Sequence, residues 1–392
     1  VQTCALPIWV DIVDVVGKHV KLKKAGANYQ GLCPFHQEKS PSFSVSPTKQ
    51  FYHCFGCGAH GSAIGFMMEY SGQSYVDAIE DLARSVGLTV PREERNVRDV
   101  IAQKQALALG EVMTMASDWY SQQLKGSQRA IDYLKGRGLT GEIAKRYGLG
   151  YAPDGWQGLE AVFDSYGKDE TAKLLIEAGL IIQGEGADSQ GKTKRYDRFR
   201  DRIMFPIRNP KGQTIGFGGR ILDQGEPKYL NSPETDVYHK SQILYGIYQA
   251  KNSIRSEDMC YLVEGYTDVI SLHQAGVKNV VASSGTSLTP EQIKLIGRFS
   301  KHITVLYDGD SAGIKAALRG MDLILEEGLQ VNLVVFPEGH DPDSFVRKMG
   351  SEAFTEFVKK ESKDFISFQA SLFLEEAGED PFKKAEMVKE MV

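Results

Sequence analysis

The clearest pattern along the chain is an alternation of apolar and amphipathic segments from about residue 256 onward. The apolar segments each have the length of a buried strand and cover 259–263, 279–282, 303–307 and 331–336. The segments between them have helical spacing and cover 269–275, 290–298 and 312–327. Because strands that alternate with helices form mostly parallel sheets, we predict an α/β sheet here, with functional sites beyond the carboxyl ends of its strands.

The preceding part of the chain has shorter and more varied patterns. Residues 10–22 predict a helix followed by a strand, and residues 31–65, rich in Cys, His, Gly and Pro, predict small strands and tight turns. Helical spacing returns in three segments, at 63–70, 75–86 and 100–124. The polar segment 91–98 predicts a linker, and 184–195 (GEGADSQGKTKR) predicts a turn or mobile loop. The fold class is therefore α+β followed by α/β.

Composition places the chain among ordinary soluble proteins of two or three domains. It has 392 residues, of which 42% are hydrophobic and 25% are charged. No run approaches the roughly 18 apolar residues of a membrane helix, and the N-terminus lacks the pattern of a secretory signal. Five cysteines are too few for a disulfide framework, so we expect a cytoplasmic protein. Because no apolar run is long enough to span a membrane, we expect no membrane partner.

The charge is unevenly distributed. The chain carries a net charge of −5, yet residues 192–255 contain 13 Lys and Arg against 6 Asp and Glu, a local net charge of +7. A basic segment within an acidic chain favours polyanion binding, because binding depends on the local field. A solvated basic surface is the alternative that charge alone leaves open.

Four residues have the spacing of a tetrahedral zinc site. The pair Cys33 and His36 is followed, after 17 intervening residues, by the pair Cys54 and Cys57, with two residues between the members of each pair. A set of four protein ligands leaves no position for a reactive water, so one structural zinc ion is predicted. The nearby Phe43 and Phe51 are either core residues of this small domain or stacking surfaces for single-stranded nucleic acid.

Carboxylates follow the predicted strands of the α/β sheet. Glu264 follows the first strand, Asp308 and Asp310 follow the third, and a further pair, Asp341 and Asp343, follows the fourth. Closely spaced carboxylates suit Mg²⁺ or Mn²⁺, and such ions support phosphoryl or nucleotidyl transfer. The alternative is helix capping by these aspartates.

The motifs Glu264-Gly265 and Asp308-Gly309-Asp310 on such a sheet resemble the toprim domain. Together with the Cys-x2-His…Cys-x2-Cys ribbon and the basic segment beginning RFRDRIMFPIRNPKGQ, they make the chain similar to DnaG-type bacterial primases from about residue 10 to 392. The resemblance implies four parts: a CHC2-type zinc-binding domain with linker (1–98), a basic subdomain of the RNA polymerase domain (99–255), a toprim subdomain (256–340) and a helical C-terminal segment (341–392).

The resemblance also implies an activity, namely synthesis of RNA primers on single-stranded DNA from ribonucleoside triphosphates during replication. The implied magnesium ligands, for two or more ions, are Glu264, Asp308 and Asp310. Further acidic positions of the same catalytic face are Asp268, Asp341 and Asp343. The positions implied to bind template and nucleotide are Arg198, Arg200, Arg202, Arg220, Lys228, Asn231 and Lys240.

Two alternatives remain at this point. Another toprim enzyme, a topoisomerase or nuclease, would share the acidic motifs, although none of the 17 tyrosines lies in a recognisable nucleophile motif. A non-catalytic single-stranded DNA-binding module would use the acidic groups only as caps. The first nine residues do not resemble the usual start of the family. The family's C-terminal domain, which docks the replicative helicase, is expected to be absent.

Overall fold

The computed structural model describes residues 10–90, 97–159, 168–187, 193–285, 287–307, 311–337 and 339–377. The chain divides into two compact units. The first comprises Val1–Lys240 with Ile247–Glu257, and the second comprises Ser241–Gly246 with Asp258–Val392. Among the described residues, no helix is both long and apolar enough to span a membrane.

The first unit begins with a small antiparallel sheet. Helix α1 (Ile12–Gly17) precedes its five strands in the order β1 to β5, which are Lys23–Ala25, Asn28–Gly31, Phe43–Ser46, Phe51–Cys54 and His60–Gly61. Helices α2 (Ala63–Ser71) and α3 (Tyr75–Ser85) follow. Phe43, Tyr52 and Phe66 are fully buried and their rings contact one another, whereas Phe51 is 38% exposed. Phe43 is therefore a core residue of the ribbon.

The rest of the first unit surrounds a second core. Its helices are α4 (Val97–Gly126), α5 (Gln128–Gly136), α6 (Gly141–Tyr147), α7 (Lys168–Glu177) and α8 (Ile247–Glu257). Its strands are β6 (Gly150–Ala152), β7 (Ile181–Ala187), β8 (Thr193–Asp197), β9 (Arg202–Arg208), β10 (Thr214–Ile221) and β11 (Tyr229–Asn231). Helix α4 packs closely on β6 at Gly150. A Cβ atom at this position would lie only 2.5 Å from the Tyr120 Cβ, so only glycine fits here.

Two antiparallel sheets form within this core region. One has the strand order β11-β10-β9-β6, and the other is the hairpin β7-β8. The prediction of a turn or loop over 184–195 was wrong for residues 184–187 and 193–195, which belong to strands β7 and β8. Residues 188–192 lie outside the described part of the chain. Pairing between Gln183 and Arg195 and between Ala187 and Thr193 overrides the turn-forming composition of this segment.

The second unit is the predicted α/β sheet, and its fold class is confirmed. Its strands are β12 (Cys260–Val263), β13 (Val280–Ala282), β14 (His302–Tyr307), β15 (Gln330–Val335) and β16 (Lys363–Asp364). Its helices are α9 (Tyr266–Gln274), α10 (Pro290–Gly297), α11 (Ser311–Glu326), α12 (Pro342–Glu361) and α13 (Phe365–Ala377). The strand order is β13-β12-β14-β15-β16, parallel except for β16.

One short segment of the second unit precedes its first strand in sequence. Tyr245 lies outside the named strands, yet it exchanges two backbone hydrogen bonds with Ala282 of the edge strand β13, at 2.9 and 3.0 Å. The Ile243 carbonyl also accepts a hydrogen bond from the Gln292 side chain of α10 at 2.9 Å. The segment 241–246 thus belongs to the second unit through specific contacts.

Candidate functional site

The four predicted zinc ligands lie together beside the small antiparallel sheet. One ligand atom from each of Cys33, His36, Cys54 and Cys57 lies within 4.8 Å of the others. The sulfur atoms of Cys33 and Cys57 are 3.8 Å apart, and His36 Nδ1 is 3.7 Å from Cys54 Sγ. With Zn–S bonds of about 2.3 Å, the edge of a tetrahedral site is about 3.8 Å, so the donor set fits zinc.

The surroundings of the cluster shift the pKa of each thiol. Burial raises the pKa of both the Cys33 and the Cys57 thiols, because a thiolate that loses water is destabilised. Burial also acts on Cys54, but hydrogen bonds from Ser42 and nearby amides outweigh it and lower its pKa. A divalent ion would stabilise all three thiolates and deprotonate the thiols outright.

The backbone at Gly56 allows the two ligand pairs to approach each other. A Cβ atom at this position would lie 2.6 Å from His36 Nε2 and 2.9 Å from Ser42 Oγ. A side chain here would therefore displace the imidazole or the hydroxyl. Two other histidines, His53 and His60, stack on each other at 6.2 Å and are not part of the four-residue cluster.

A half-buried carboxylate that sequence reasoning missed lies next to this cluster. Glu38 accepts hydrogen bonds from the backbone amides of Cys33 and Ser42 and from the Ser42 hydroxyl. Burial opposes its ionisation, but these hydrogen bonds outweigh burial and lower the pKa of the Glu38 carboxyl. A glutamate two residues after a metal ligand has no distinctive spacing, so the sequence carried no signal for it.

The second candidate site lies at the carboxyl ends of the parallel strands. Glu264 follows β12 directly and is exposed. Strands β12 and β14 are parallel neighbours, with Leu262 paired to Val305, so their carboxyl ends lie at the same edge of the sheet. The sequence continues after Tyr307 with Asp308 and Asp310, which lie outside the described residues.

A cavity of about 430 Å³ opens at this edge. Its lining includes Glu264, Ser283, Tyr307 and Arg319, together with apolar residues of β12, β14 and α11. Burial, reinforced by the Glu264 charge, raises the pKa of Tyr307 to about 12, so the phenol stays neutral beside the carboxylate. The edge therefore combines a concave shape with an exposed acidic group.

The remaining acidic residues make contacts that stabilise the fold. Asp268 is buried and accepts hydrogen bonds from the amides of Gly265 and Asp343, at 3.0 and 3.3 Å. Asp343 is only 1% exposed, accepts from the Ser271 hydroxyl at 2.5 Å and lies 2.9 Å from Arg347 Nε. These contacts connect α9 to α12.

Asp341 is the N-cap of α12. Its carboxylate accepts a hydrogen bond from the Ser344 amide at 2.6 Å, and Ser344 Oγ accepts one from the Asp341 amide at 3.0 Å. The contacts of all three residues favour the capping and structural interpretation that the sequence left open. Metal binding by Asp268, Asp341 and Asp343 stays a prediction.

The predicted basic residues lie on or next to β9, β10 and β11. Arg220 of β10 pairs with Tyr229 of β11, donates to its hydroxyl at 2.6 Å and lies over its ring. Asn231 is two residues further along β11, so it shares the face of Arg220 and Tyr229. Arg198 donates to the Asn231 carbonyl at 3.2 Å.

The other basic residues differ in accessibility. Arg202 is buried and donates to the carbonyls of Gly219 and Pro227, at 3.1 and 3.0 Å. These contacts favour a structural role, and direct template binding by Arg202 stays a prediction. Lys228 is exposed. The backbone amide of Lys240 donates a hydrogen bond to the Glu234 carboxylate at 3.0 Å.

An exposed tryptophan near the basic strands was also missed from the sequence. The Arg200 guanidinium lies 4.3 Å from the ring centroid of Trp156, which is 64% exposed. An exposed indole paired with an arginine offers a stacking surface to a nucleic-acid base. The sequence could not show this role, because a tryptophan differs from a core residue only in its exposure, and exposure depends on the tertiary structure.

Comparison with known families gives matches for three regions of the chain. The CHC2 zinc finger matches residues 5–98, the N-terminal domain of the DNA primase catalytic core matches 119–251, and the Toprim-like family matches 261–346. A ribbon with a Cys3His donor set followed by a toprim sheet therefore defines the class: a zinc-finger protein with a toprim domain.

Individual relatives agree with this class. DNA primase from Pseudomonas putida is 47% identical over 376 residues, which are 94% of this chain and 55% of that protein. The structure of the Aquifex aeolicus primase zinc-binding and RNA polymerase domains is 34% identical, covers 99% of this chain and 95% of its own, and has a TM-score of 0.61. A DnaG primase catalytic domain bound to ssDNA is 37% identical, covers 73% and 92%, and has a TM-score of 0.64.

The chain belongs to the DnaG-type bacterial primase family. It spans about half the length of the curated Pseudomonas relatives that it matches.

Proposed function

We propose that this chain synthesises short RNA primers on single-stranded DNA by metal-dependent nucleotidyl transfer. The observation that carries the proposal is the exposed Glu264 at the carboxyl end of β12, beside the end of β14, where the sequence continues with Asp308 and Asp310. A related catalytic domain has been solved with ssDNA bound, which supports a single-stranded DNA template. The same proposal implies that the protein acts in the cytoplasm, at the replication fork.

The proposed division of roles follows from residue chemistry. Glu264, Asp308 and Asp310 would hold Mg²⁺ or Mn²⁺ through carboxylate oxygens, which these hard cations prefer. Bound divalent ions would activate the primer 3′-hydroxyl and neutralise charge on the triphosphate. Lys228 and Lys240 would bind the triphosphate, and the other basic residues would bind the template backbone without sequence preference.

In the proposed zinc site, Cys33, His36, Cys54 and Cys57 would hold one structural ion. The three thiols and one imidazole complete a tetrahedral set from the protein alone. The ion would therefore stabilise the ribbon rather than take part in nucleotidyl transfer.

Incubation with single-stranded DNA, Mg²⁺ and labelled ribonucleotides tests the proposed activity. We expect short RNA products that depend on both template and metal, resolved on a denaturing gel. Cleavage or relaxation of DNA in place of RNA synthesis would indicate another toprim enzyme. Binding of the DNA without any reaction would indicate a non-catalytic module, and either result would contradict the proposal.

Template binding is expected to depend strongly on salt and on Arg200. Replacing this arginine by alanine should weaken DNA affinity equally on all template sequences, because a phosphate contact carries no base information. The slope of log affinity against log salt should fall by roughly 0.7, the value for one phosphate contact on a single strand. Fluorescence anisotropy at several salt concentrations measures both effects.

The matched control is Lys301→Ala. Lys301 is exposed and precedes β14, at the opposite end of the strand from the acidic motif. Its loss changes the net charge by the same amount but should leave the salt slope unchanged. Equal effects of the two variants would mean that only total charge matters, and would remove Arg200 from the template contacts.

A further inference from the structure

We propose that Glu38 is the positioning residue of the zinc centre, holding His36 and the Cys33 and Ser42 segments in the geometry that binds the metal. The inference deepens the proposed zinc site and rests on it. Glu38 itself is not a ligand, since the four-residue donor set is complete without it.

The first observation is the orientation of the His36 ring. Its Nδ1 faces the sulfur atoms, 3.7 Å from Cys54 Sγ, while its Nε2 lies 3.4 Å from the Glu38 carboxylate. An imidazole that binds a metal through one nitrogen carries its proton on the other. A carboxylate at that second nitrogen fixes the tautomer and the ring orientation, and it makes the ligating nitrogen a better donor.

The second observation is that the same carboxylate also holds the backbone around the cluster. Glu38 Oε1 accepts from the Cys33 amide at 2.6 Å and from the Ser42 amide at 3.1 Å, and Oε2 accepts from the Ser42 hydroxyl. Ser42 Oγ in turn lies 3.2 Å from Cys54 Sγ. One side chain thus joins the segments that carry three of the four ligands.

The third observation is the low exposure of the Glu38 side chain. The Glu38 side chain is only 9% exposed, whereas glutamate is almost never buried without partners. Its partners are two ligands, Cys33 and His36, and Ser42, whose hydroxyl lies next to the sulfur of the ligand Cys54. A glutamate that contributes only to solubility has an exposed side chain, and the Glu38 side chain is not exposed.

Glu38→Gln in the whole chain tests the inference. Glutamine keeps the size but loses the charge, so zinc affinity should fall about 10- to 100-fold, the usual range for loss of such a partner. Competition with a chromogenic chelator gives affinity and release rate. The spectrum of the Co²⁺-substituted protein should keep its thiolate bands but show shifted d–d bands, because the His36 orientation changes. The matched control is Asp14→Asn, which removes one exposed carboxylate of α1 outside the cluster.

A double-mutant cycle with His36→Cys distinguishes positioning through His36 from a general structural role. Without an imidazole at position 36, Glu38→Gln should have a clearly smaller effect on zinc affinity, whereas a merely structural role predicts additive effects. Additive losses, or wild-type affinity and release in Glu38→Gln, would overturn the inference.

A folding defect does not leave the question open. If Glu38→Gln does not fold, Glu38→Asp decides the matter, because the shorter side chain keeps the charge but cannot reach Ser42 and His36 together. Release of zinc from Glu38→Asp at the wild-type rate would overturn the inference. Elemental analysis of the wild-type protein is a separate test, since absence of zinc there would contradict the zinc site itself.

Discussion

Replacing Asp308 by alanine is expected to reduce primer synthesis to background while binding of single-stranded DNA stays close to wild type. The reason is that this carboxylate, with Glu264 and Asp310, is proposed to hold the ions that neutralise charge on the transferring phosphoryl group. Such stabilisation is typically worth several kcal/mol, so a loss on the order of 1000-fold, or about 4 kcal/mol, is expected. Template contacts are assigned to basic residues on other strands and should persist.

Three measurements on the same Asp308→Ala protein decide the question: primer yield, DNA affinity and melting temperature. Asp322→Ala is the control, because Asp322 is an exposed carboxylate of α11 and its loss should leave synthesis unchanged. If Asp308 were only a helix cap, stability would fall by about 1 kcal/mol and synthesis would remain nearly normal. Wild-type primer yield would exclude Asp308 from the active site.

Cys57→Ala is expected to abolish stoichiometric zinc binding and to unfold the ribbon locally. Small zinc domains fold on their metal, and binding contributes about 10–16 kcal/mol in zinc-finger peptides. Elemental analysis should show about one zinc per wild-type chain and a small fraction of that in the variant. Amide protons of β3 and β4 should lose protection from exchange, because the ligand Cys54 ends β4 and pairs with Phe43.

Cys260→Ala provides the control for this experiment. Cys260 is a fully buried cysteine of β12 that lies outside the zinc cluster, so its replacement should leave the zinc content unchanged. Full zinc retention in Cys57→Ala would contradict the assignment of this residue as a ligand. Loss of zinc in both variants would indicate nonspecific thiol binding.

The sequence predicted those features that depend on neighbouring residues. The pairs Cys33/His36 and Cys54/Cys57 are local in sequence, and the structure brings their donor atoms together as expected. The four parallel strands were predicted within a residue or two at each end, because their apolar runs are continuous. The hairpin of β7 and β8 was missed, because its residues near the turn are glycine-rich and polar.

Features that depend on long-range contacts could not be predicted. Asp343 contacts Ser271, 72 positions earlier, and no spacing rule connects the two. An Asp-x-Asp motif has the same sequence whether it binds a metal or caps a helix. The position of Arg202 in a basic segment also predicts a template contact. In the structure its guanidinium is buried and donates to carbonyl groups of the protein.

The bridge between Tyr245 and Ala282 determines where the toprim unit can be cut for separate expression. Strand β13 is the edge of its sheet, and Tyr245 satisfies backbone groups that would otherwise be unpaired. A fragment that begins at Asp258 would lack this segment and expose the edge, and exposed edges pair with other chains and promote aggregation. Fragments that include 241–246 keep Ala282 of this edge paired, so the practical boundary lies well upstream of the first toprim strand.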